Sequence, residues 1–218
     1  MKTKSFLLIG MGTFGHQLCM QLAEQKNAEI MIADIRAEAL EDLLPYVVSA
    51  KVGNCCDEKV LESFGIPSFD TCFVCIGGNF QNSIQIASLL KDLGAKKVIA
   101  KAEQDVQAKF LLRNGADQII YPERDVAERI AVSECNSSIF DYIELSDGFA
   151  IFEISPNEKW IGKTIRELGV RAAYNINILA VKKDGKILIM PSPGYTFRED
   201  EHLMVLARRK DIEKVTSR

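Results

Sequence analysis

Gly10-Met11-Gly12-Thr13-Phe14-Gly15 constrains this chain more than any other stretch, because it joins the apolar run Phe6–Ile9 directly to a segment of helical periodicity. Glycines at that spacing serve a strand-to-helix turn: Gly10 permits the tight bend, Gly12 lets a phosphate approach the backbone, and Gly15 lets the helix lie close on the strand. The amides that open the helix then form an anion site. Asp34 ends a second apolar run 19 residues beyond Gly15. A carboxylate there accepts hydrogen bonds from the ribose hydroxyls of an adenosine and repels a 2′-phosphate. Read by itself, the same aspartate caps a helix beginning near Arg36.

The alternation continues as far as Ser133. Apolar, β-branched runs at Phe6–Ile9, Ile30–Ala33, Ser49–Val52, Cys72–Ile76, Val98–Lys101 and Gln118–Tyr121 read as strands, with helices between them at 14–26, 36–44, 57–64, 80–93, 104–113 and 123–133. Six strands in that rhythm predict an α/β fold, a doubly wound parallel sheet of the Rossmann type. Ligands collect at the carboxyl ends of such strands, which adds Asn54 and Cys55 after the third strand and Ile76 and Gly77 after the fourth. Glycine-rich text at both places serves equally as turn chemistry.

After Ser133 the rhythm changes. Strand-like runs at Tyr142–Leu145, Ala150–Ile154, Ile176–Val181, Ile187–Met190 and Leu203–Ala207, the hairpin turn Asp184-Gly185, a short helix at Thr164–Leu168 and a terminal helix after Arg209 predict a small α+β domain. The expected division is 1–134 and 135–218. A second unit of about 80 residues is marginal by itself and gains from a dimer partner.

Several classes of function are disfavoured. With 27 Lys+Arg against 30 Asp+Glu and no cluster of basic residues interleaved with aromatics, nucleic acid is not an expected partner. No apolar run reaches the roughly 18 residues that span a bilayer, so the chain is expected to be soluble and intracellular. The cysteines at 19, 55, 56, 72, 75 and 135 read as reduced thiols. Cys72 and Cys75, three apart on a strand, point to opposite faces and cannot grip one metal. His16 and His202 offer no partner set for hydride transfer or hydrolysis, and the chain is read as not an enzyme. The alternative is a stand-alone NAD-dependent oxidoreductase or redox sensor.

The runs FLLIGMGTFG, IADIR, VIAKAE, GADQIIYPERDVAERIA and IGKTIRELGVRAAYNINILAVKKDGKILIMPSPG resemble the regulator of potassium conductance family, specifically the Ktr/Trk-type peripheral subunits with TrkA-N and TrkA-C domains. The resemblance covers nearly the whole chain. It implies a homodimer assembling to an octameric ring, peripheral at the cytoplasmic face of a membrane potassium-translocating subunit, which senses adenine nucleotides (ATP/ADP, or NAD/AMP). It implies a nucleotide site at Gly10, Met11, Gly12, Thr13, Phe14 and Gly15, at Asp34 with its neighbours Ile35 and Arg36, and at Lys101 and Glu123. Glu123 is the implied ligand of a divalent cation, and the dipole of a helix N-terminus also favours an acid there. Thr13 stands where many relatives carry an arginine that reaches the terminal phosphate of ATP, which makes ADP, AMP or NAD credible occupants. In the second domain Arg171, Asn177, Ile178 and Pro193 match positions that hold cyclic di-AMP in some relatives. The bland reading of those four is a solvated arginine and core residues of a small structural domain.

Overall fold

The computed structural model describes residues 2–216, which fall into two compact units divided after Arg124. The first contains six parallel strands: β1 (Lys4–Ile9), β2 (Ala28–Asp34), β3 (Ser49–Val52), β4 (Thr71–Val74), β5 (Val98–Lys101) and β6 (Gln118–Ile120). They lie in the order β3-β2-β1-β4-β5-β6, the doubly wound arrangement in which the crevice for a ligand opens where the order reverses, beside β1 and β4.

The central strands are buried on both faces, as continuous apolar runs demand. Leu7, Ile9, Met31 and Ala33 pack with Leu61, Ile86, Leu90 and Leu111 on one side. Leu8, Ile30 and Ile32 pack with Cys19, Leu40 and Leu43 on the other. The period of two in β1 and β2 thus divides each strand between two layers. One layer is built from α2 (Glu58–Glu62), α3 (Phe80–Asp92) and α4 (Asp105–Arg113), and the other from α1 (Thr13–Ala23).

The helix expected over 36–44 is instead two 3-10 turns, Ala37–Ala39 and Glu41–Tyr46. Pro45 lies inside the second turn; it has no N–H to give an α-helical bond and disfavours helical backbone at the residue before it.

The second unit is a five-stranded antiparallel sheet in the order β10-β9-β11-β8-β7. Its strands are β7 (Ile139–Glu144), β8 (Phe149–Ile154), β9 (Asn177–Lys183), β10 (Lys186–Ile189) and β11 (His202–Arg208). The β9-β10 hairpin turns at Asp184 and Gly185, both with positive φ, 48° and 73°, the conformation that a two-residue Asp-Gly turn supplies. Trp160, Phe152, Phe197, Leu203, Val205 and Ile212 form its core.

Thr164 caps α6 (Ile165–Leu168) through a reciprocal box with Glu167. A further helix, α7 (Val170–Tyr174), stands between two left-handed residues, Gly169 (φ 52°) and Asn175 (φ 57°). The last helix is α8 (Arg209–Thr216).

The division falls after Arg124, ahead of the expected boundary at 134, inside α5 (Pro122–Cys135). Beyond Arg124 that helix makes its contacts with the second unit: Val132 packs on its core, Glu128 pairs with Arg209 at 3.1 Å, and Arg129 with Asp141 at 3.3 Å.

Candidate functional site

The glycine loop is held by its neighbours rather than by its own side chains. Gly10 adopts φ 92° and donates its amide to the Ala33 carbonyl at 2.9 Å, which ties the loop to the end of β2. A Cβ on Gly10 would stand 2.7 Å from Ile76 Cγ1, and one on Gly15 only 2.1 Å from the Gly10 carbonyl oxygen, so both positions exclude a side chain. Gly12 differs: a Cβ there would meet nothing within 4 Å. Space above Gly12 is what a backbone-bound phosphate requires. As the N-cap of α1, Gly12 brings no capping side chain, and the first turn carries no acid. The opening amides and the positive end of the helix dipole therefore face outward without an internal competitor.

Asp34 is 8% exposed, and its two carboxylate oxygens are shared between the loop and the next turn. Oδ2 accepts the Met11 amide at 2.7 Å and Oδ1 the Arg36 amide at 2.9 Å. The bond to the Arg36 amide is a local turn contact and not a helix cap, since the 3-10 turn that follows has Arg36 as its own N-cap, and the same carboxylate holds the glycine loop as well. A carboxylate accepts about four hydrogen bonds, which leaves lone pairs on Asp34 for ribose hydroxyls. Met11 has its side chain in the core and its amide on Asp34, so it supports the site from below.

Beside Asp34 opens a cavity of about 180 Å³ lined by Ile9, Gly10, Asp34, Ile35, Gly53, Asn54, Cys55, Cys56, Ile76, Asn82 and Ile86. It lies at the carboxyl ends of the central strands. Ile35, 66% exposed, offers an apolar edge that a planar base can cover. Asn54 Oδ1 accepts the Cys56 amide at 3.1 Å, and Ser83 Oγ donates to the Ile76 carbonyl at 2.9 Å, which fixes the two loops that wall the cavity. Burial pushes the Cys55 thiol up to about 12, so the cavity is lined by a neutral thiol and not a thiolate. Cys72 and Cys75 are likewise buried and pushed up to about 12, and among the described residues no cluster suited to a metal is present.

Lys101 and Glu123 form an ion pair at the end of β5 and the start of α5. The Lys101 side chain is 10% exposed, and hydrogen bonding to its ammonium holds the Glu123 carboxyl below the ordinary carboxylate range. Gly77 makes room for Lys101 and for the neighbouring Glu103, since a Cβ there would stand 3.1 Å from Lys101 Nζ and 2.5 Å from Glu103 Oε1.

In the second unit Arg171, Asn177, Ile178 and Pro193 line one cavity of about 400 Å³ together with Arg166 and Pro191. Arg171 Nη2 donates to Asn177 Oδ1 at 2.7 Å, and the Arg166 amide bonds the Pro193 carbonyl at 2.9 Å. His202 lies elsewhere: Nδ1 is 2.7 Å from Glu153 Oε1, which also accepts Lys182 at 2.9 Å, and its ring stacks on Phe140 at 3.9 Å. His16 Nε2 is 2.7 Å from Asp42.

The TrkA-N domain family matches residues 6–122 and the TrkA-C domain family residues 149–218. Ktr system potassium uptake protein C of Bacillus subtilis (strain 168) is 35% identical over 215 residues, which is 99% of this chain and 97% of that protein. The chain is a Ktr-type member of the TrkA family. Ktr system potassium uptake protein A of the same organism is 36% identical over 213 residues, 98% of this chain and 96% of the relative. The GsuK channel superposes on the whole of this Ktr-type chain with a TM-score of 0.72 at 17% identity, and the chain spans 40% of that protein. That likeness concerns the fold. No helix among the described residues of this Ktr-type chain is long and apolar enough to cross a membrane.

Of the nucleotide residues expected for this Ktr-type chain, Gly10, Asp34, Ile35, Asn54, Cys55 and Ile76 share the cavity. Gly12, Thr13, Phe14, Gly15 and Arg36 flank it in the loop and the turn after β2, while Gly77, Lys101 and Glu123 form their own cluster. Asn82 and Ile86 in the first cavity, and Arg166 and Pro191 in the second, are additions to the expected set. Asn82 and Ile86 lie one turn apart on α3, and that spacing was their signal.

Proposed function

We propose that this chain is the cytoplasmic regulatory subunit of a potassium uptake system, peripheral to a separate membrane subunit whose pore it gates in response to an adenine nucleotide. Homodimers assembled into an octameric ring would carry the signal, through differential affinity of the nucleotide for two ring shapes and without turnover. Membership of the Ktr type supports the potassium part of this reading. The observation that carries the nucleotide part is Asp34, whose carboxylate anchors the Met11 amide of the glycine loop while bordering the cavity that would take the base.

The phosphates would lie on the amides at the start of α1, with Lys101 as the nearby buried cation and Glu123 as the carboxylate available to a divalent ion. Thr13 supplies no charge for a γ-phosphate, so ADP, AMP or NAD fits as well as ATP. Mass spectrometry of the nucleotide that co-purifies, followed by titration of its competitors, tests the reading. Absorbance at nicotinamide wavelengths during incubation with candidate substrates tests the oxidoreductase alternative, which requires a signal that the regulatory reading does not.

A second ligand, cyclic di-AMP, is proposed for the C-terminal cavity, because Arg171, Asn177, Ile178 and Pro193 come from α7, β9 and the segment after β10 to one wall. Two copies of that wall across a dimer axis would meet a two-fold ligand at one molecule per dimer.

A further inference from the structure

A separate cavity in the second unit, about 530 Å³, is lined by Phe149, Asn175, Arg208, Lys210, Asp211 and Lys214. Three of the six are cations and one is an acid. The acid is already committed: Asp211 is 4% exposed, accepts Lys214 Nζ at 2.9 Å and is hydrogen-bonded by the Asn175 side chain. Lys214 is thereby held in place with its charge balanced. Neither Arg208 nor Lys210 forms a salt bridge with a carboxylate among the described residues; Lys210 shares the field of Asp211 with Lys214, which leaves the cavity with a surplus of positive charge.

Arg208 is also positioned. It ends β11 directly opposite Phe149 on β8, and its guanidinium carbon lies 4.8 Å from the centre of the Phe149 ring. A guanidinium over an aromatic face keeps its N–H groups at its edges, which is the geometry that grips two oxygens of one phosphate. Next to it, Arg209 is turned away to Glu128, so Arg208 and Lys210 face one cavity while the residue between them faces another partner.

We propose that Arg208, Lys210 and Lys214, with Phe149 as floor, form a binding site for a phosphate-bearing anion, apart from both cavities described above. Arg208 takes the phosphate in a fork, Lys210 adds a point charge, and the Phe149 ring supports the guanidinium from below. The volume fits a molecule of nucleotide or headgroup size. The phosphate belongs either to a free small molecule or to a lipid headgroup, and the chemistry at the site is the same.

Calorimetric titration of the full chain with inorganic pyrophosphate, and co-sedimentation with phosphatidylcholine vesicles with and without phosphatidic acid, test this. Each is carried out on wild type, Arg208→Gln/Lys210→Gln, Arg208→Lys and, as a control for the other cavity, Arg171→Ala. Arg208 and Lys210 are exposed, so the variants are expected to fold, and thermal unfolding checks it. A pyrophosphate affinity that falls by at least about tenfold in the double variant, partly in Arg208→Lys and not in Arg171→Ala assigns a free ligand. Binding only to the phosphatidic acid vesicles, lost in the same pattern, assigns a headgroup. Titration and sedimentation that are unchanged in the double variant overturn the site.

Discussion

The two units offer ligands different kinds of surface. In the first, the groups at the proposed site are largely backbone: the amides at the start of α1, a loop without side chains at Gly10, Gly12 and Gly15, and one carboxylate, Asp34, that fastens the loop to the strand beside it. In the second, the cavity proposed for a ligand is lined by side chains, Arg171 and Asn177 with Ile178 and Pro193, brought together from a short helix, a strand and a coil. A backbone site is specified by where side chains are forbidden. A side-chain site is specified by which ones the fold happens to assemble.

That contrast is broken most strongly at Gly15. Gly15→Ala puts a methyl group 2.1 Å from the Gly10 carbonyl oxygen, and neither backbone segment yields without moving α1 off β1. The expected destabilisation is about 3 kcal/mol, the upper range for overpacking, seen in chemical denaturation. Gly12→Ala, with open space around it, should cost no more than about 1 kcal/mol of stability, as a poorer N-cap of α1, and weaken nucleotide binding. Equal loss of stability at both glycines would mean that Gly12 is structural.

In the second unit the largest effect is expected at Arg171. Arg171→Ala removes a charge-assisted contact of about 1.5–3 kcal/mol per copy and should abolish cyclic di-AMP binding, measured with labelled ligand, while nucleotide affinity stays as in wild type. Wild-type stoichiometry should be one per dimer. One per chain, or a variant that binds as well as wild type, would return the cavity to a structural role.

How much of this could be read in the sequence follows the same contrast. The glycine spacing and the acid at the end of the second run point to the loop and Asp34, because backbone geometry restricts residue type locally. All six strands of the first unit overlap the apolar runs from Phe6 to Tyr121 for the same reason. The segment 36–44, whose apolar spacing is helical, forms two 3-10 turns, and only Pro45 marks the difference. Helix α7 is not legible in the sequence although Gly169 and Asn175 bracket it, since five residues are too few to show a period. Arg166 carries no local signal because it reaches the second cavity from α6, through a contact between segments far apart in the chain.

Thr13 gives a smaller effect. Wild type should favour ATP over ADP by less than tenfold, under about 1.4 kcal/mol, and Thr13→Arg should raise that preference by supplying a cation for the γ-phosphate. Competition titrations read it, and a wild type that already prefers ATP by more than tenfold would assign the contact to another cation.

The smallest effect is expected at Glu123, which is 65% exposed. Its carboxyl is held low by Lys101, so its contribution to stability is present at neutral pH and lost as pH falls through the depressed value. Because solvent screens the pair, Glu123→Gln should cost under about 1 kcal/mol at pH 7, and the difference from wild type should vanish in acid. Thermal unfolding between neutral and acidic pH measures it, and a difference that grows in acid contradicts the sign.

The central claim is that Asp34 reads a ribose. Because Asp34→Ala would also strip an acceptor from the buried Met11 amide, the cleaner change is Asp34→Asn, which keeps one carbonyl oxygen, combined with removal of the hydroxyls from the ligand. Calorimetry of ADP and 2′,3′-dideoxy-ADP on wild type and Asp34→Asn closes the cycle. Wild type is predicted to bind ADP at least about tenfold more tightly than the dideoxy compound, and Asp34→Asn to bring that ratio close to one. The same ratio in both proteins would contradict the account.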